Sequence, residues 1–164
     1  MPAVKRTTFM EIIWKLHRYV YRVSGGRVGG AIGGMSVLLL ITTGRRSGKP
    51  RSVTLAYFED GDRLVVIGSN AGEDRHPAWW LNLQEHPYAT VQIGGTTTRV
   101  HAVEAHGEER ERLWAELIRR DPAYEEYRFR TDRQIPVVLL ERADASSHNG
   151  TYPTGSLLHR STHP

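Results

Sequence analysis

The sequence contains no cysteine among its 164 residues. This absence excludes disulfide bonds, thiolate metal sites, iron–sulfur clusters and a cysteine nucleophile, and it fits a chain that works in a reducing cytoplasm. Long apolar runs are missing as well, because the longest covers only residues 37–41 (VLLLI), far too short to cross a bilayer. The first residues also lack the continuous apolar segment of a secretory signal. We therefore expect a cytoplasmic protein.

Two patterns that would signal hydrolytic or metal chemistry are also absent. Residues 68–72 (GSNAG) place their serine one position too early for the GxSxG nucleophile elbow. There is no HExxH, and His101 and His106 do not stand at a spacing typical of metal ligands. We therefore expect neither a serine hydrolase nor a bound metal ion.

The charge balance is only mildly basic, because 22 lysines and arginines stand against 18 acidic residues, a formal net charge of +4. So small an excess means that partners have to be inferred from local clusters. Basic residues concentrate in one turn, residues 42–51, without the array of aromatic side chains that stacks on nucleic-acid bases. We expect no nucleic-acid binding.

The apolar pattern predicts a single α+β domain over residues 1–142, mainly of β-structure. Hairpin turns are predicted at Asp60-Gly61 and at Gly94-Gly95. Because hairpins dominate and strands do not alternate with helices, the sequence predicts an antiparallel barrel or strongly curved sheet with peripheral helices. The predicted strands cover residues 37–43, 52–58, 63–68, 90–93, 96–105 and 136–140, and the predicted helices cover 78–86 and 108–120.

The two ends of the chain differ from its centre. Residues 7–23 carry apolar side chains at helical spacing, and the polar side of this helix is basic. A helix packed on the domain explains this pattern, and so does peripheral membrane contact through residues 5–23. Residues 24–34 (SGGRVGGAIGG) predict a flexible connector, because glycine is unfavourable in regular structure. Residues 143–164 are poor in apolar residues and predict a mobile tail.

The most informative stretch is TTGRRSGKPR, residues 42–51, which joins two predicted strands. It is not a P-loop, because three residues instead of four separate its first glycine from the Gly-Lys pair, and a strand follows instead of a helix. A plain basic hairpin explains the glycines and one or two charges. Four cations within seven positions, however, repel one another unless an anion lies between them. We predict a site for a phosphate or carboxylate ligand at Arg45, Arg46, Lys49 and Arg51.

A second segment, residues 68–80 (GSNAGEDRHPAWW), leads from a predicted strand into a predicted helix. Ser69 offers a hydroxyl that could hold a ring edge or a phosphate. Trp79 and Trp80 offer flat apolar surface for a ring system. Paired aromatic residues at the start of a helix also commonly pack its underside, so both interpretations stay open.

A third segment, residues 121–129, places Tyr124 and Tyr127 three positions apart, on one face of a helix. Phenols can stack on a substrate and donate a hydrogen bond while they are neutral at pH 7. These two tyrosines are therefore candidates for contact with a substrate.

In this order, the three segments resemble the deazaflavin-dependent nitroreductase family of actinobacteria, whose members use coenzyme F420. The matching text is LLLITTGRRSGKPRSVTLAYF, IGSNAGEDRHPAWWLNLQEHP and DPAYEEYRFRTDRQIPVVLL, and the resemblance covers roughly residues 10–141. It implies a split β-barrel. It also implies hydride transfer from the reduced deazaflavin to a small electron-poor acceptor: a quinone, an activated alkene or a nitro compound.

Carried over by position, the resemblance assigns a role to each segment. The basic turn would hold the anionic tail of the coenzyme, and the following strand and loop would line its ring. The implied cofactor-binding residues are Arg45, Arg46, Ser47, Gly48, Arg51, Thr54, Leu55, Ala56, Ser69, Asn70, Ala71, Gly72 and Trp79. The implied substrate pocket consists of Trp80, Tyr124 and Tyr127, and the two tyrosines are the implied catalytic residues.

Two departures from the family pattern leave alternatives open. Asn70 stands where relatives often have lysine, and Asp121 stands where some have a further tyrosine. The first puts one anion contact in question, and the second affects the substrate range. An oxidoreductase of related barrel shape that uses flavin mononucleotide (FMN) is the alternative enzyme. A non-catalytic carrier of coenzyme or lipid is the alternative of a different class.

Overall fold

The computed structural model describes residues 31–32 and 35–143, with side chains described from residue 35 onward. A short 3-10 turn, Asn70–Gly72, lies between the fourth strand and the first helix. The predicted N-terminal helix at 7–23 and the predicted tail after residue 143 lie outside the described residues. In chain order the elements are β1 (Ala31–Ile32), β2 (Met35–Thr43), β3 (Pro50–Asp60), β4 (Arg63–Ile67), α1 (Ala78–Glu85), β5 (Tyr88–Ile93), β6 (Thr96–Glu104), α2 (Gly107–Arg120), α3 (Ala123–Arg130) and β7 (Val137–Arg142).

Six strands of the described chain close into an antiparallel barrel. Their order is β2-β3-β4-β7-β6-β5, and β5 pairs back with β2 to complete the circle. This closure confirms the predicted antiparallel barrel with peripheral helices. The predicted connector at 24–34 is partly wrong, because β1 lies within it and pairs with β2 through Ala31 and Ser36. The first residues of β2, which β5 does not cover, supply hydrogen-bond partners that the local glycine-rich sequence does not reveal.

β4 and β7 are apolar on both faces because each is covered twice. Val66 of β4 and Val138 of β7 belong to the barrel interior, whereas Val65 and Val137 pack against α2. This double cover explains the uninterrupted apolar runs of these two strands. The interior cluster takes residues from all six barrel strands and from α1: Leu38, Leu40, Tyr57, Val66, Ala89, Val91, Val100, Val138, Leu140, Trp79, Trp80 and Leu83.

The helices of the described chain lie against the outside and one end of the barrel. α1 packs on β2 and β3, α2 packs on β7, and α3 packs on α2 and on the turn Asn70–Gly72. The predicted helices at 78–86 and 108–120 agree with α1 and α2 within one residue. None of the helices in the described residues is long and apolar enough to cross a membrane.

A group of charged residues attaches α2 to the hairpin between β3 and β4. Arg63 donates to Asp60 at 2.6 Å and to Glu109 of α2 at 2.8 Å. Arg112 of α2 donates to the other oxygen of Asp60 at 2.8 Å. The hydrogen bond from Arg112, assisted by the one from Arg63, lowers the pKa of Asp60 to about 2. Asp60 is therefore the central anion of this contact.

Candidate active site

A cleft of about 790 Å³ opens between the β2–β3 turn, strand β3, the loop after β4 and the start of α1. Most of the residues predicted from the sequence meet here, although they come from three separate segments. The predicted site residues that line the cleft are Arg45, Arg46, Ser47, Arg51, Thr54, Leu55, Ala56, Ser69, Asn70, Ala71, Trp79 and Tyr124.

One buried amide ties the basic turn to α1. Asn82 is 4% exposed, and its Oδ1 accepts hydrogen bonds from the backbone N–H and from the Nη1 of Arg45, both at 3.1 Å. Its Nδ2 donates to the hydroxyl of Thr42 at 3.1 Å, and that hydroxyl donates to the carbonyl of Arg51 at 3.3 Å. A single side chain thus links both ends of the turn to the same helix.

Glycines give the turn its tight shape. Gly48 has a φ of +66°, and a Cβ on Gly44 would lie 2.6 Å from the Oγ of Ser47. The N–H of Gly44 donates to the carbonyl of Lys49 at 2.8 Å, and the N–H of Gly48 donates to the carbonyl of Gly44 at 2.7 Å. The N–H of Lys49 donates to Ser47, and that of Arg45 is taken by α1. The backbone N–H groups of Gly44, Arg45, Gly48 and Lys49 therefore have partners within the chain and are not free for a ligand.

The turn gives the cleft a positive end. Arg45, Arg46 and Arg51 line the cleft, whereas Lys49 does not. Among the described residues, none of these three arginines forms an ion pair with a carboxylate. The acidic residue in the lining, Glu73, instead accepts a hydrogen bond from an asparagine on its own loop. Three guanidinium groups without anions are suited to phosphate and carboxylate oxygens.

Strand β3 sets the length of the cleft. Arg51 and Ala56 both line it and stand five positions apart, which is about 17 Å at the usual rise of an extended strand. The β3–β4 register, in which Tyr57 pairs with Val66, brings Ile67 beside Ala56, and Ser69 follows two residues later. The wall between the two ends includes Val53 and is partly apolar. The cationic end and the Ser69 end are therefore separated by the length of a ring system with an extended tail.

The loop after β4 has an unusual backbone. Asn70 and Ala71 adopt left-handed φ values of 46° and 54°, at about 1–2 kcal/mol per non-glycine residue. Gly72 follows with a φ of +79°, and a Cβ there would lie 2.9 Å from the Cβ of Arg130 on α3. Ser69 is 9% exposed and lines the cleft. Strain that lies beside a cleft is typical of binding loops.

Helix α3 brings one tyrosine to the cleft. Tyr124 lines it, whereas Tyr127 lies behind Tyr124, with ring centroids 5.4 Å apart and an interplanar angle of 82°. Burial, followed by the charge of Asp121, raises the pKa of Tyr124 to about 12. The carboxylate of Asp121 also accepts the backbone N–H of Ala123 at 3.0 Å and so begins the helix. Tyr124 is therefore a neutral hydrogen-bond donor throughout the physiological pH range.

Besides Lys49, four predicted residues are not brought to the cleft. Trp80 is 6% exposed and belongs to the barrel interior, with its ring centroid 6.4 Å from that of Trp79. Gly48 lies on the far side of the turn. Gly72 packs against α3, and Tyr127 is part of α3; neither residue lines the cleft. Their assigned roles as ligand contacts stay predictions.

Sequence reasoning did not select several residues that do line the cleft. The most consequential of them is Asn82. A polar residue on the otherwise apolar side of a helix (AWWLNL) is the sequence feature that could have indicated it, because buried polar groups form hydrogen bonds. Among the described residues, no group of three histidines or carboxylates is placed to hold a metal ion. The other lining residues that were not selected are Thr42, Gly44, Ser52, Val53, Ile67, Glu73, Pro77 and Ala78.

The family model of the F420H(2)-dependent quinone reductases matches residues 13–142. The chain belongs to this family. The F420H(2)-dependent quinone reductase Rv1261c of Mycobacterium tuberculosis (strain ATCC 25618 / H37Rv) is 38% identical over 133 residues, which cover 78% of this chain and 89% of the relative. This membership supports an F420-dependent oxidoreductase with coenzyme F420 as its cofactor, and it gives no support to FMN.

Solved structures of similar proteins agree with the fold of this F420H(2)-dependent family. An F420-H2 dependent reductase (FDR-A) superposes with a TM-score of 0.59 at 38% identity, covering 64% of this chain and 93% of that one. A structure described as a domain-swapped dimer superposes with a TM-score of 0.60 at 32% identity, covering 80% of this chain and 99% of that one. The split β-barrel implied by the resemblance is confirmed.

Proposed function

We propose that this chain transfers a hydride from reduced coenzyme F420 to a quinone. The observation that carries the proposal is one cleft that joins a partly apolar strand, a neutral phenol and three arginines that form no ion pair with any carboxylate in the described part of the chain. The basic turn is not the P-loop of a nucleoside triphosphate site, since it leads into a strand and not into a helix. The family supports the coenzyme, and the lining residues suit a molecule with an anionic tail and a flat ring.

The residues fit the coenzyme along the length of the cleft. Arg45, Arg46 and Arg51 would hold its phosphate and carboxylate groups at the cationic end. Trp79 would wall the ring, and Ser69 would contact its edge. When bound, reduced F420 supplies the hydride, and thus both electrons, for the reaction. The chain itself contributes binding, orientation and a hydrogen-bond donor.

We propose that Tyr124 assists the acceptor, because its phenol lines the cleft. Hydride addition to a quinone puts negative charge on an oxygen, and the product then takes one proton from water to become the hydroquinone. The phenol of Tyr124 would donate a hydrogen bond to that oxygen as the charge develops. Because the pKa of Tyr124 is raised to about 12, this group stabilises the charge and keeps its own proton. Activated alkenes and nitro compounds develop charge in a similar way, and we include them in the proposed range.

The proposal is tested by binding and turnover with the full chain. We expect the protein to bind F420 more tightly than FMN, and to oxidise reduced F420 when menadione is added. Failure to bind F420 would reject the proposed cofactor. Binding without oxidation across quinones, enones and nitro compounds would favour the carrier function over the enzyme.

A further inference from the structure

Arg133 lies outside the cleft, but its guanidinium group holds the loop that forms one wall of it. Its Nη2 donates to the carbonyls of Gly68 at 3.1 Å and Ser69 at 2.7 Å, and its Nε donates to the carbonyl of Glu73 at 2.8 Å. We propose that Arg133 is a positioning residue that sets the place of Ser69 and its loop against the coenzyme. The coenzyme part of this proposal rests on the proposed function.

The backbone of the loop is strained, and Arg133 adds hydrogen bonds from outside the loop to those within it. Within the loop, the N–H of Gly72 donates to the carbonyl of Ser69 at 2.9 Å, and the N–H of Glu73 donates to that of Asn70 at 3.0 Å. The Nδ2 of Asn70 also donates to Glu73 at 3.1 Å and to the carbonyl of Arg75 at 3.0 Å. These bonds must keep two successive non-glycine residues in left-handed conformations. Arg133 contacts the same Ser69 carbonyl, which accepts both bonds with its two lone pairs. Arg133 therefore stabilises the bond that closes the turn.

The guanidinium group of Arg133 donates to backbone carbonyls and not to a carboxylate of the described residues. Among the described residues it forms no ion pair, and its Nη1 lies 3.2 Å from the Nδ1 of His76. Burial, followed by the charge of Arg133, lowers the pKa of His76, so the neutral ring is favoured and can accept this bond at Nδ1. A partly buried guanidinium group whose donors all reach one loop holds that loop in place.

Neighbouring contacts attach the loop elsewhere but do not replace this one. The hydroxyl of Thr131 donates to Asp74 at 3.0 Å, and Gly72 packs closely on α3. Arg133 alone among these contacts reaches both ends of the loop, from Gly68 to Glu73. A lysine ammonium is a single point of donation and cannot match a planar fork that reaches separated carbonyls. The identity of this residue as arginine therefore matters as well as its charge.

The test compares Arg133→Gln and Arg133→Lys with Arg75→Gln. Arg75 is on the same loop, but its side chain is 89% exposed. Arg75→Gln therefore removes the same charge as Arg133→Gln and serves as the control. Amide hydrogen exchange of Gly72 and Glu73 is measured without ligand, against the amide of Val138 in the barrel. The dissociation constant of F420 and the kcat and KM for menadione are then measured for each protein.

We expect the Gly72 and Glu73 amides to exchange about tenfold faster in Arg133→Gln, while Val138 stays unchanged, because only the loop loses its charged hydrogen bonds. Arg133→Lys should give a smaller acceleration in the same two amides. Binding of F420 should weaken about tenfold in Arg133→Gln, with kcat at saturating coenzyme changed by less than about threefold. Arg75→Gln should match the unsubstituted chain in every measurement.

Two outcomes would overturn the proposal. Exchange of Gly72 and Glu73 that is unchanged in both Arg133 variants would show that the loop does not depend on Arg133. Equal acceleration at Val138 in both variants would show a general effect on the fold. If the unsubstituted chain fails to bind F420, the proposed function fails, while the exchange data still decide whether Arg133 holds the loop.

Discussion

Asn82 and Arg45 are 37 positions apart in the chain, and they are joined by two hydrogen bonds of 3.1 Å to one amide oxygen. One bond fixes the backbone of Arg45, and the other fixes its guanidinium group. The amide nitrogen of Asn82 donates to the hydroxyl of Thr42, and that hydroxyl donates to the carbonyl of Arg51. The cationic end of the cleft is thus held in place by a buried side chain of α1.

Asn82→Ala is expected to weaken both folding and coenzyme binding. Loss of the amide removes both hydrogen bonds from Arg45 and the one to the Thr42 hydroxyl, which we expect to lower the free energy of unfolding by about 1–3 kcal/mol. The dissociation constant of F420 should rise about tenfold, because the arginine is no longer oriented. Urea unfolding and coenzyme titration measure the two effects. Gln84→Ala, at an exposed position of the same helix, should change neither, and unchanged binding in Asn82→Ala would show that the amide serves the fold alone.

The cations of the basic turn should differ in their importance. Arg46→Gln and Arg51→Gln are each expected to weaken F420 binding by about tenfold or more, because charged hydrogen bonds to anions are lost. Lys49→Gln removes the same charge from the same turn, but Lys49 does not line the cleft, so less than about a twofold effect is expected. Titrations at two salt concentrations provide the measurement. Equal losses in all three variants would mean that the turn acts through its total charge.

Tyr124→Phe should lower turnover without abolishing coenzyme binding. The lost hydrogen bond to the acceptor oxygen is expected to lower kcat with menadione by about ten- to a hundredfold. Tyr127→Phe is the matched control, since that ring does not line the cleft, and its kcat should stay within about threefold of the parent. Full turnover by Tyr124→Phe would remove this residue from the mechanism.

The pH dependence of turnover should be insensitive to Tyr124. Its pKa is raised to about 12, so the phenol stays protonated throughout the usual assay range. We therefore expect the parent and Tyr124→Phe to show pH–rate profiles of the same shape between about pH 6 and 9, differing only in height. A limb in that range that disappears in Tyr124→Phe would contradict the raised pKa.

Gly72→Ala tests the close contact between the cleft loop and α3. The substitution introduces a Cβ 2.9 Å from that of Arg130 and strains a φ of +79°. Gly61→Ala is a matched control, because its φ of +65° is strained in the same way but nothing lies within 4 Å of the new Cβ. In each variant the backbone strain should lower the free energy of unfolding by about 1–2 kcal/mol. The clash with Arg130 should lower the free energy of unfolding of Gly72→Ala by about 1–3 kcal/mol more. Equal unfolding midpoints for the two variants would show that α3 moves aside freely.

Asp60 should make stability fall in acid. Its folded-state pKa of about 2 lies below the ordinary 3.8, so the unfolded chain binds the proton first as the pH drops. The contribution of Asp60 is therefore complete above about pH 4 and is lost between about pH 4 and 2. Asp60→Asn should lower stability by about 1 kcal/mol at pH 7, since partly exposed ion pairs are screened, and should flatten the acid limb. Asp62→Asn, at the exposed position of the same hairpin turn, should behave like the parent.

Local sequence was sufficient to predict most of the fold. The alternation of apolar residues and the turn at Gly61 depend on neighbours within a few positions, so the β3–β4 hairpin agrees closely with its prediction. The two-residue β1 was missed because it exists only through pairing with β2. Strands that depend on a distant edge leave little trace in their own residues.

The sequence predicted which types of side chain form the candidate site. It did not predict which of two nearby aromatic residues would line the cleft. The sequence indicated aromatic residues at Trp79 and Trp80, and the docking of α1 places the first at the cleft and the second in the barrel interior. In the same way, the orientation of α3 brings Tyr124 to the cleft and leaves Tyr127 behind it. A helix rotates by about 100° per residue, so the adjacent Trp79 and Trp80 face different surroundings. Tyr124 and Tyr127 share a helix face, and only the way that α3 meets the cleft separates them.

By itself, the sequence determined an antiparallel β-rich domain, a glycine-shaped turn with four cations, and a resemblance to F420-dependent enzymes. These properties depend on residue type and spacing over short distances. Only the tertiary structure decided that Asn82 orients Arg45, that Arg133 holds the loop around Ser69, and that Lys49 stands outside the cleft. Contacts between segments some 40 to 65 positions apart arise when the barrel closes, and no local pattern encodes them.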